Sequence, residues 1–508
     1  IEDKRYGRFR DSLHAATVRL DSLLHAPDAE AEGLSLAYQS EPWPQQESLN
    51  AFLAAVAGRW AAKARFDKSV PDLWSAFTKA ATTINGIEIP IGWTPAGETV
   101  SFVVGGRNSE HHALLAGKTG SGKSNLLHVM IHTLCERYGP GEVDLYLLDY
   151  KESTEFTVYA RPPLPHARLV ATESDPEYGI TVLRHLVDEL EQRGKLFKAA
   201  GVPDFAGYRN TLNHQMPRVL LVIDEFQVLF SESRQAADAA EQLLSQLLKQ
   251  GRSFGIHVVL ATQTLKGINA VSLAAIITQL GCRVALACGQ EDSAMILGSN
   301  NWGASELRSP PEAIINTSNG APSGNIKFLV PLAEAGFCRK HIATLSERAV
   351  KRKAPEKTRV FNGSHLPGLP APDDFQSVCS HANALLLGET LTFATDALTV
   401  PLVTRNAFNV LFSGYNDRIH DGLLASTLWS VAAGTAFDRI IYFNGRNIAP
   451  AGGFRDATSA LGKRFEVFSD TDTLPLQDIL AAIGTCRVAL IIDGLDSEKS
   501  LQPVPFKQ

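Results

Sequence analysis

The spacing of hydrophobic residues changes along the chain and predicts where helices give way to strands. In residues 1–85, apolar side chains recur among charges at helical intervals, first in Arg5–His25 and then in the alanine-rich stretch Ser48–Ile84. An acidic, proline-bearing segment, Ala26–Gln46, separates these two stretches. The pattern predicts a helical N-terminal region. Three roles stay open for it: a coiled coil, a docking surface for a partner, or a cap that only packs on the rest.

Residues 86–332 have a different pattern, in which short apolar runs rich in β-branched residues alternate with helical stretches. The predicted strands are Val100–Val104, His111–Ala116, Val143–Asp149, Leu169–Ala171, Val219–Asp224, Val258–Thr262 and Arg283–Ala287. Strands that alternate with helices are typical of an α/β domain whose central sheet is mostly parallel and covered on both faces.

Residues 333–383 follow as a predicted linker. They contain a basic run formed by Arg348, Lys351, Arg352, Lys353, Lys357 and Arg359, and then a proline and glycine cluster at 367–372. Such a run is typical of a solvated linker, with a nucleic-acid contact as the alternative.

Residues 384–508 are predicted to be a second, diverged copy of the α/β unit. NVLFSGYNDRIHDGLL at 409–424 aligns with ALLAGKTGSGKSNLL at 113–127, and DRIIYFNGR at 438–446 with DLYLLDYK at 144–151. RVALIIDGL at 487–495 likewise aligns with RVLLVIDEF at 218–226. Three matches in the same order indicate a tandem repeat of one domain.

Composition and charge narrow the function classes. Of the 508 residues, 44% are hydrophobic and 20% charged, which is typical of a globular protein of several domains. The formal net charge of −6 excludes a globally basic nucleic-acid binder. It does not exclude a ring that grips DNA through a few loops, because that charge is local.

Cysteine usage and apolar run lengths indicate a cytoplasmic protein. The six cysteines form no CxxC pair, which argues against a zinc ribbon or a disulfide framework. The longest apolar runs, such as Val219–Ile223 and Val488–Ile492, have strand length and are far shorter than the roughly 18 residues of a membrane span. We therefore expect no membrane segment in this span and see no signal peptide. Because the chain begins at Ile1 and ends at Gln508 just after a predicted strand, we expect it to be part of a longer protein.

The segment Gly117–Ser124, GKTGSGKS, fits the phosphate-binding pattern G-x-x-x-x-G-K-[ST] between a predicted strand and a predicted helix, Asn125–Tyr138. Glycines let the backbone direct N–H groups at the β-phosphate, and the helix N-terminus adds partial positive charge. Lys123 is predicted to bridge the β- and γ-phosphates, and the Ser124 hydroxyl to ligate Mg²⁺. The predicted nucleotide-binding residues are Gly117, Lys118, Thr119, Gly120, Ser121, Gly122, Lys123, Ser124 and Asn125.

A second motif, VLLVIDE at 219–225, places two carboxylates at the C-terminal end of a predicted strand, where ligands of parallel sheets bind. Asp224 is predicted to hold Mg²⁺ through water, and Glu225 to orient or deprotonate the attacking water. No N/T-K-x-D guanine-reading motif follows, which favours ATP as the nucleotide.

Three further polar residues are candidates for sensing the γ-phosphate or for completing the site of a neighbouring subunit. Gln263 ends the strand VVLATQ and is predicted to sense the γ-phosphate, with a plain polar strand end as the alternative. Arg252 and Arg283 are candidates for an arginine finger that reaches into a neighbouring subunit's site, although a surface arginine is more often structural.

Together these motifs resemble the FtsK/SpoIIIE branch of the HerA–FtsK ATPases over about residues 105–332. The matching segments are GKTGSGKS at 117–124, LLDYK at 147–151, LPHARLV at 164–170, ELEQRGKLF at 189–197, RVLLVIDEF at 218–226, GRSFGIHVVLATQTL at 251–265 and CRVALACGQEDSAMILG at 282–298. The resemblance implies a RecA-like ATPase domain in a hexameric ring that pumps double-stranded DNA. It also implies Lys123, Ser124, Asp224 and Glu225 as ATP machinery, Gln263 as sensor and Arg283 as the preferred trans finger.

The sequence departs from the translocases in two ways. The span has no winged-helix γ module, and the second domain replaces the phosphate-binding Lys and Ser by His420 and Asp421 and the catalytic Glu by Gly494. Histidine gives no permanent charge and aspartate repels phosphate, so we expect no hydrolysis there. Tandem, partly degenerate domains also resemble the EssC-like motor of type VII secretion.

Two functions therefore compete. We favour a double-stranded DNA translocase, in mobile-element transfer or in phage defence and restriction. The alternative is a secretion ATPase that acts on polypeptides, and a non-catalytic scaffold ranks third. For a DNA substrate, the candidate contacts on loops facing the ring's pore are Lys151, Arg161 and Lys266, each of which is alternatively a plain surface residue.

Overall fold

The chain divides into two compact units, Ile1–Phe66 and Asp67–Gln508. The computed structural model describes residues 50–51, 53–54, 68–79, 81–106, 110–150, 155–212, 215–231, 233–265, 268, 270–308, 311–352, 358–364, 368–379, 384–393, 396–402, 410–413, 417–434, 437–445, 464–469, 477, 481 and 486–494. The predicted helix Arg5–His25 and residues 48–49, 52, 55–67 and 80 of the stretch Ser48–Ile84 lie outside these residues. The following description concerns the second unit.

Within the described residues, eleven strands form one large sheet. They are β1 (Ile87–Trp93), β2 (Thr99–Val104), β3 (Ala113–Ala116), β4 (Val143–Asp149), β5 (Ala167–Thr172), β6 (Arg218–Asp224), β7 (Ile256–Thr262), β8 (Cys282–Leu286), β9 (Glu312–Asn316), β10 (Asn325–Leu329) and β11 (Arg359–Asn362). Their order across the sheet is β11-β5-β4-β6-β7-β3-β8-β9-β10-β1-β2.

Seven neighbouring strands, from β11 to β8, run parallel, and the remaining four extend the sheet in antiparallel fashion. The carboxyl ends of parallel strands meet at one edge of a sheet, where α/β proteins bind ligands. Strand β7 lies between β3 and β6 and pairs with both. The two predicted phosphate-site motifs therefore end at the same edge, one strand apart.

The helices of this unit are α1 (Val70–Leu73), α2 (Lys123–Arg137), α3 (Pro176–Ala200), α4 (Phe205–Leu212), α5 (Arg234–Phe254), α6 (Ala270–Ile277), α7 (Gln290–Leu297), α8 (Ala335–Lys351), α9 (Phe375–Val378) and α10 (Asp417–Ala433). Every residue of β3, β6 and β7 is buried. Strands covered on both faces read as continuous apolar runs, so the predicted α/β core is the one observed. In the described part of the chain, no helix is both long enough and apolar enough to cross a membrane.

Residues 333–383, expected to be a linker, contribute structure to the first domain. Helix α8 buries Cys338, His341, Ile342 and Leu345, and His341 Nε2 lies 3.0 Å from Glu136 Oε2 on α2. Strand β11 pairs in parallel with β5. Among the described residues of the basic run, Lys351 and Arg352 are exposed at the end of α8, Arg348 Nη1 donates to Glu136 Oε2 at 3.1 Å, and Arg359 lies on β11. These charges concealed the apolar face of the helix. Lys353 and Lys357 lie outside the described residues.

Residues 384–508, the predicted second α/β domain, contain two smaller sheets among the described residues. Strands β12 (Ala384–Glu389) and β13 (Ala397–Pro401) form an antiparallel pair, while β15 (Phe465–Ser469), β14 (Arg439–Asn444) and β16 (Val488–Asp493) form a parallel sheet in that order. Asn444 pairs with Asp493 across β14 and β16, as Asp149 pairs with Asp224 across β4 and β6. This shared register agrees with the repeat predicted from the sequence.

Candidate nucleotide-binding site

The loop between β3 and α2 forms an open backbone cradle. Gly120 and Gly122 have φ values of +76° and +97°, which glycine adopts without steric cost. A Cβ at Gly117 would lie 2.6 Å from Ser121 Oγ and 2.7 Å from Leu286 Cβ. The Gly117 N–H donates to the carbonyl of Thr262, at 3.3 Å, which ties the loop to β7. A glycine loop fixed in this way at a helix N-terminus fits a phosphate group.

Lys123 is the buried cation of the site. Its Nζ forms an ion pair with Asp224 Oδ1 and lies 3.2 Å from Glu225 Oε1. All three residues are less than 10% exposed. A buried charge is tolerated when it is paired, so this contact holds the first turn of α2 against the end of β6. The two sequence motifs therefore form one site.

The two carboxylates respond differently to this environment. Burial raises the pKa of Asp224, and the charge of Lys123 only partly offsets that effect. Burial acts in the same direction on Glu225, but Lys123 and hydrogen bonds from Gln227 and Gln263 outweigh it and lower its pKa. Glu225 is thus stabilised in the charged form that a general base requires.

The oxygen donors at this edge fit Mg²⁺, which prefers hydroxyl, carboxylate and water ligands. Ser124 is the second residue of α2, and Asp224 lies at the end of β6. Asn125, also predicted to bind nucleotide, uses its side chain elsewhere: its Nδ2 donates to the Pro331 carbonyl at 2.9 Å, and its Oδ1 accepts from the Ala333 N–H at 2.8 Å.

Gln263 contacts both motifs. Thr119 Oγ1 donates to its side-chain Oε1 at 2.6 Å, and its backbone N–H donates to Glu225 Oε2 at 3.1 Å. A residue placed between the phosphate loop and Glu225, the predicted base, can transmit movement from one to the other. The predicted sensor role thus has a physical basis, and it stays a prediction.

Arg283 lies away from the nucleotide edge of its own domain. It pairs with Leu114 in the middle of β3, and its guanidinium donates to the carbonyl of Leu297 at 2.7 Å. Burial lowers its pKa. Arg161 is exposed in the turn before β5. Lys151 and Lys266 lie outside the described residues, on segments that follow β4 and β7.

Sequence reasoning missed two polar residues of the site. Gln227 Nε2 donates to Glu225 Oε2 at 2.8 Å. Glu155 Oε2 lies 3.4 Å from His128 Nε2, and the contacts with His128 and the Ser124 hydroxyl lower its pKa, although partial burial opposes them. Gln227 is the only polar residue in the run FQVLF, which was an available signal. No signal in the sequence pointed to Glu155, because only the folded structure brings it close to Ser124.

The second domain repeats the central contact of the site with different residues. His420 Nε2 lies 2.8 Å from Asp493 Oδ1, in the positions aligned with Lys123 and Asp224. His420 Nδ1 is also 3.1 Å from Asp421 Oδ1. The hydroxyl of Tyr442 donates to Asp493 Oδ2 at 3.3 Å. The degenerate pair therefore holds helix α10 against β16 without a phosphate-binding lysine.

Glu225→Gln should retain nucleotide but stall turnover, because the water loses its base while the loop and Lys123 remain. Steady-state phosphate release and equilibrium binding of a fluorescent ATP analogue measure the two effects separately. Lys123→Ala should instead lose hydrolysis by removing charge from the phosphates. Turnover by Glu225→Gln at the parent rate would refute the assignment of Glu225.

His420→Ala should leave the rate of ATP hydrolysis unchanged, because the second domain lacks the lysine and the glutamate that the reaction needs. The rate is compared with the parent after matching protein concentration by absorbance. A structure with ATP bound near 414–421 would contradict this expectation.

Known proteins that are similar to this chain contain the same kind of nucleotide-binding domain. The sequence model of the FtsK/SpoIIIE family matches residues 73–280. A DNA translocase FtsK of Streptococcus pyogenes is 31% identical over 205 residues, which cover 38% of this chain and 24% of that protein. An ESX secretion system protein EccC of Geobacillus thermodenitrificans is 29% identical over 191 residues, which cover 37% of this chain and 13% of that protein. The chain thus spans about a quarter or less of these relatives.

The fold comparison extends over both domains. The cytoplasmic domain of the Thermomonospora curvata type VII secretion ATPase EccC superposes with a TM-score of 0.58 at 18% identity, covering 82% of this chain and 51% of that chain. This likeness supports tandem RecA-like domains as the fold. The family predicted from the motifs is confirmed by the match over residues 73–280. The first α/β domain of this chain is therefore a P-loop ATPase domain of the FtsK/SpoIIIE family.

Proposed function

We propose that this chain is the ATP-hydrolysing subunit of a motor that moves double-stranded DNA. The observation that carries the proposal is the buried group of Lys123, Asp224 and Glu225 below the glycine cradle, joined to Gln263. These side chains supply a cation for the phosphates, a metal-side carboxylate and a base, which are the components of phosphoryl transfer to water. Whichever substrate moves, this site supplies the energy.

Each residue has a separate task in this proposal. Lys123 turns from the carboxylates to the β- and γ-phosphates when ATP enters, because their charge exceeds that of Asp224 and Glu225 together. Ser124 and Asp224 would hold Mg²⁺, which neutralises phosphate charge when bound. Glu225 accepts the proton of the attacking water. Gln263 lies close enough to Thr119 and Glu225 to respond to loss of the γ-phosphate.

Double-stranded DNA is the substrate we favour, because the relative named DNA translocase FtsK is similar over 205 residues. The segments with Lys151 and Lys266 leave strands β4 and β7 at the nucleotide edge. Lysines there would contact phosphates without reading sequence. A polypeptide substrate is the second candidate. The fold likeness to a type VII secretion ATPase, which includes the degenerate domain, favours it.

We further propose a ring assembly, a hexamer, in the cytoplasm. Arg283 lies on β8 away from the nucleotide edge of its own domain, so a finger role for it requires the site of a neighbouring subunit. All six cysteines are free, which fits a reducing compartment.

Arg283→Ala should lose ATP hydrolysis while it still binds ATP, because the neighbouring site lacks its finger. Mixing it with Lys123→Ala subunits tests the trans role. Partial recovery of activity in mixed rings is expected, since some interfaces then combine an intact Lys123 with an intact Arg283. Full activity of a monomer at high dilution would exclude the shared site.

Double-stranded DNA should stimulate ATP hydrolysis, and charge reversal of Lys151 and Lys266 together should remove that stimulation without changing the basal rate. Binding is measured by fluorescence anisotropy across a salt series, with several unrelated DNA sequences. The slope of log K against log salt should fall by about one per phosphate contact removed, equally for every sequence.

Two outcomes would redirect the proposal. An unchanged salt slope in the double variant would remove these loops from the DNA contact. If the parent protein binds no DNA at low salt, the polypeptide substrate becomes the favoured one, and the ATPase assignment stands.

A further inference from the structure

Gln227 forms a side-chain bridge between the two strands that carry the catalytic residues. It follows β6 in the short turn Phe226–Phe230. Its Nε2 donates to Glu225 Oε2 at 2.8 Å, and its Oε1 accepts from Thr262 Oγ1, at the end of β7, at 2.6 Å. The bridge thus runs from the catalytic carboxylate to the strand that ends in Gln263.

Hydrogen-bond chemistry fixes the direction of this bridge. A charged carboxylate can only accept, so the Gln227 amide must present its N–H groups to Glu225. The amide oxygen then faces Thr262, whose hydroxyl proton is shared between Gln227 Oε1 and the Thr264 carbonyl. The same hydroxyl accepts from the Thr264 N–H at 3.0 Å, which closes the turn after β7. The reverse orientation of the amide would place two acceptors against each other.

The bridge leaves the two oxygens of Glu225 in different situations. Oε2 accepts from Gln227 Nε2 and from the Gln263 N–H. Oε1 forms an ion pair with Lys123, whose Nζ lies 3.2 Å away, and has no other donor among the described residues. Oε1 therefore faces the side of the site where Lys123 would meet the phosphates.

The backbone of Glu225 needs such a restraint. Its φ of +54° lies in the left-handed region, which is uncommon for residues other than glycine. Phe226 and Leu229 are completely buried and account for the packing of the turn. Gln227 is only half-buried, so its contribution is the bridge and not the core.

We propose that Gln227 is a positioning residue that turns Glu225 Oε1 toward the attacking water, and that Thr262 fixes Gln227 in turn. The inference rests on ATP hydrolysis at this site and adds a residue that the recognised motifs do not contain. When Lys123 moves to the phosphates, the donors left on Glu225 among the described residues are Gln227 and the Gln263 N–H. Gln227 therefore determines the orientation of the Glu225 carboxylate while ATP is bound.

The test compares Gln227→Leu with the parent in steady-state hydrolysis and in equilibrium binding of ATPγS. Leucine matches the size of glutamine but cannot donate. We expect kcat to fall by about tenfold or more, part of the ~10²–10⁴ that a positioned base contributes. The KM for ATP, ATPγS affinity and Tm should change little, because Lys123 and the loop are untouched. Gln242→Leu on the exposed side of α5 is the matched control.

Thr262 gives a second, independent variant. Thr262→Val preserves the shape but loses the hydroxyl, and it should lower kcat in the same way. Thr262→Ser, which keeps the hydroxyl, should retain more activity than Thr262→Val. The double variant Gln227→Leu/Thr262→Val should lose no more than the worse single variant, since both changes break one bridge.

The outcomes separate this inference from the proposed function. If Glu225→Gln stalls hydrolysis and Gln227→Leu leaves kcat unchanged, the positioning role is wrong and the ATPase stands. If ATPγS affinity and Tm fall together with kcat, the bridge is structural and the inference is also overturned. If Glu225→Gln is itself fully active, the proposed role of Glu225 in ATP hydrolysis is wrong, and the positioning role of Gln227 is wrong with it. Should Gln227→Leu not fold, the Thr262 pair decides.

Discussion

The site depends on one buried cation placed between two adjacent buried carboxylates. Lys123 begins helix α2, and Asp224 and Glu225 end strand β6 and begin the turn after it. Breaking a buried ion pair by removing one partner typically costs ~3–5 kcal/mol, because the remaining charge is left without compensation. In this sheet β7 alone separates β3 and β6, so the strand order brings the two ends of the contact together and links the sheet to the chemistry of the site.

The second domain keeps the contact between helix and strand but has lost the lysine that would bind phosphate. His420 and Asp493 preserve the contact between helix and strand. Imidazole can pair with a carboxylate, but its charge depends on protonation, and Asp421 places a further negative charge beside it. The pair satisfies Asp493 internally and offers no permanent cation to a triphosphate. In the proposed function, such a domain would have a structural role while the first domain hydrolyses ATP.

The sequence was sufficient where a motif is local. GKTGSGKS and VLLVIDE each lie within a few residues, so strand, loop and helix could be assigned from spacing alone. It was insufficient where contacts join distant segments. Strand β11 pairs with β5 across 190 positions, and charges concealed the apolar face of α8. Gln227 and Glu155 acquire meaning only when β6, β7 and α2 are assembled, because neither matches a pattern that can be read from composition or periodicity.

The proposed motor must convert a change at one phosphate into displacement elsewhere, and β7 has the contacts that this proposal requires. Its terminal residues contact the phosphate loop through Thr119 and Gly117, Glu225 through the Gln263 N–H, and Gln227 through Thr262. The segment that follows carries Lys266, whether its substrate is DNA or polypeptide. These hydrogen bonds, 2.6–3.3 Å long, all join one strand end, so a movement of that strand end changes each of them. Under the proposed function, coupling would therefore require no long pathway, because the segment with Lys266 follows the same strand end.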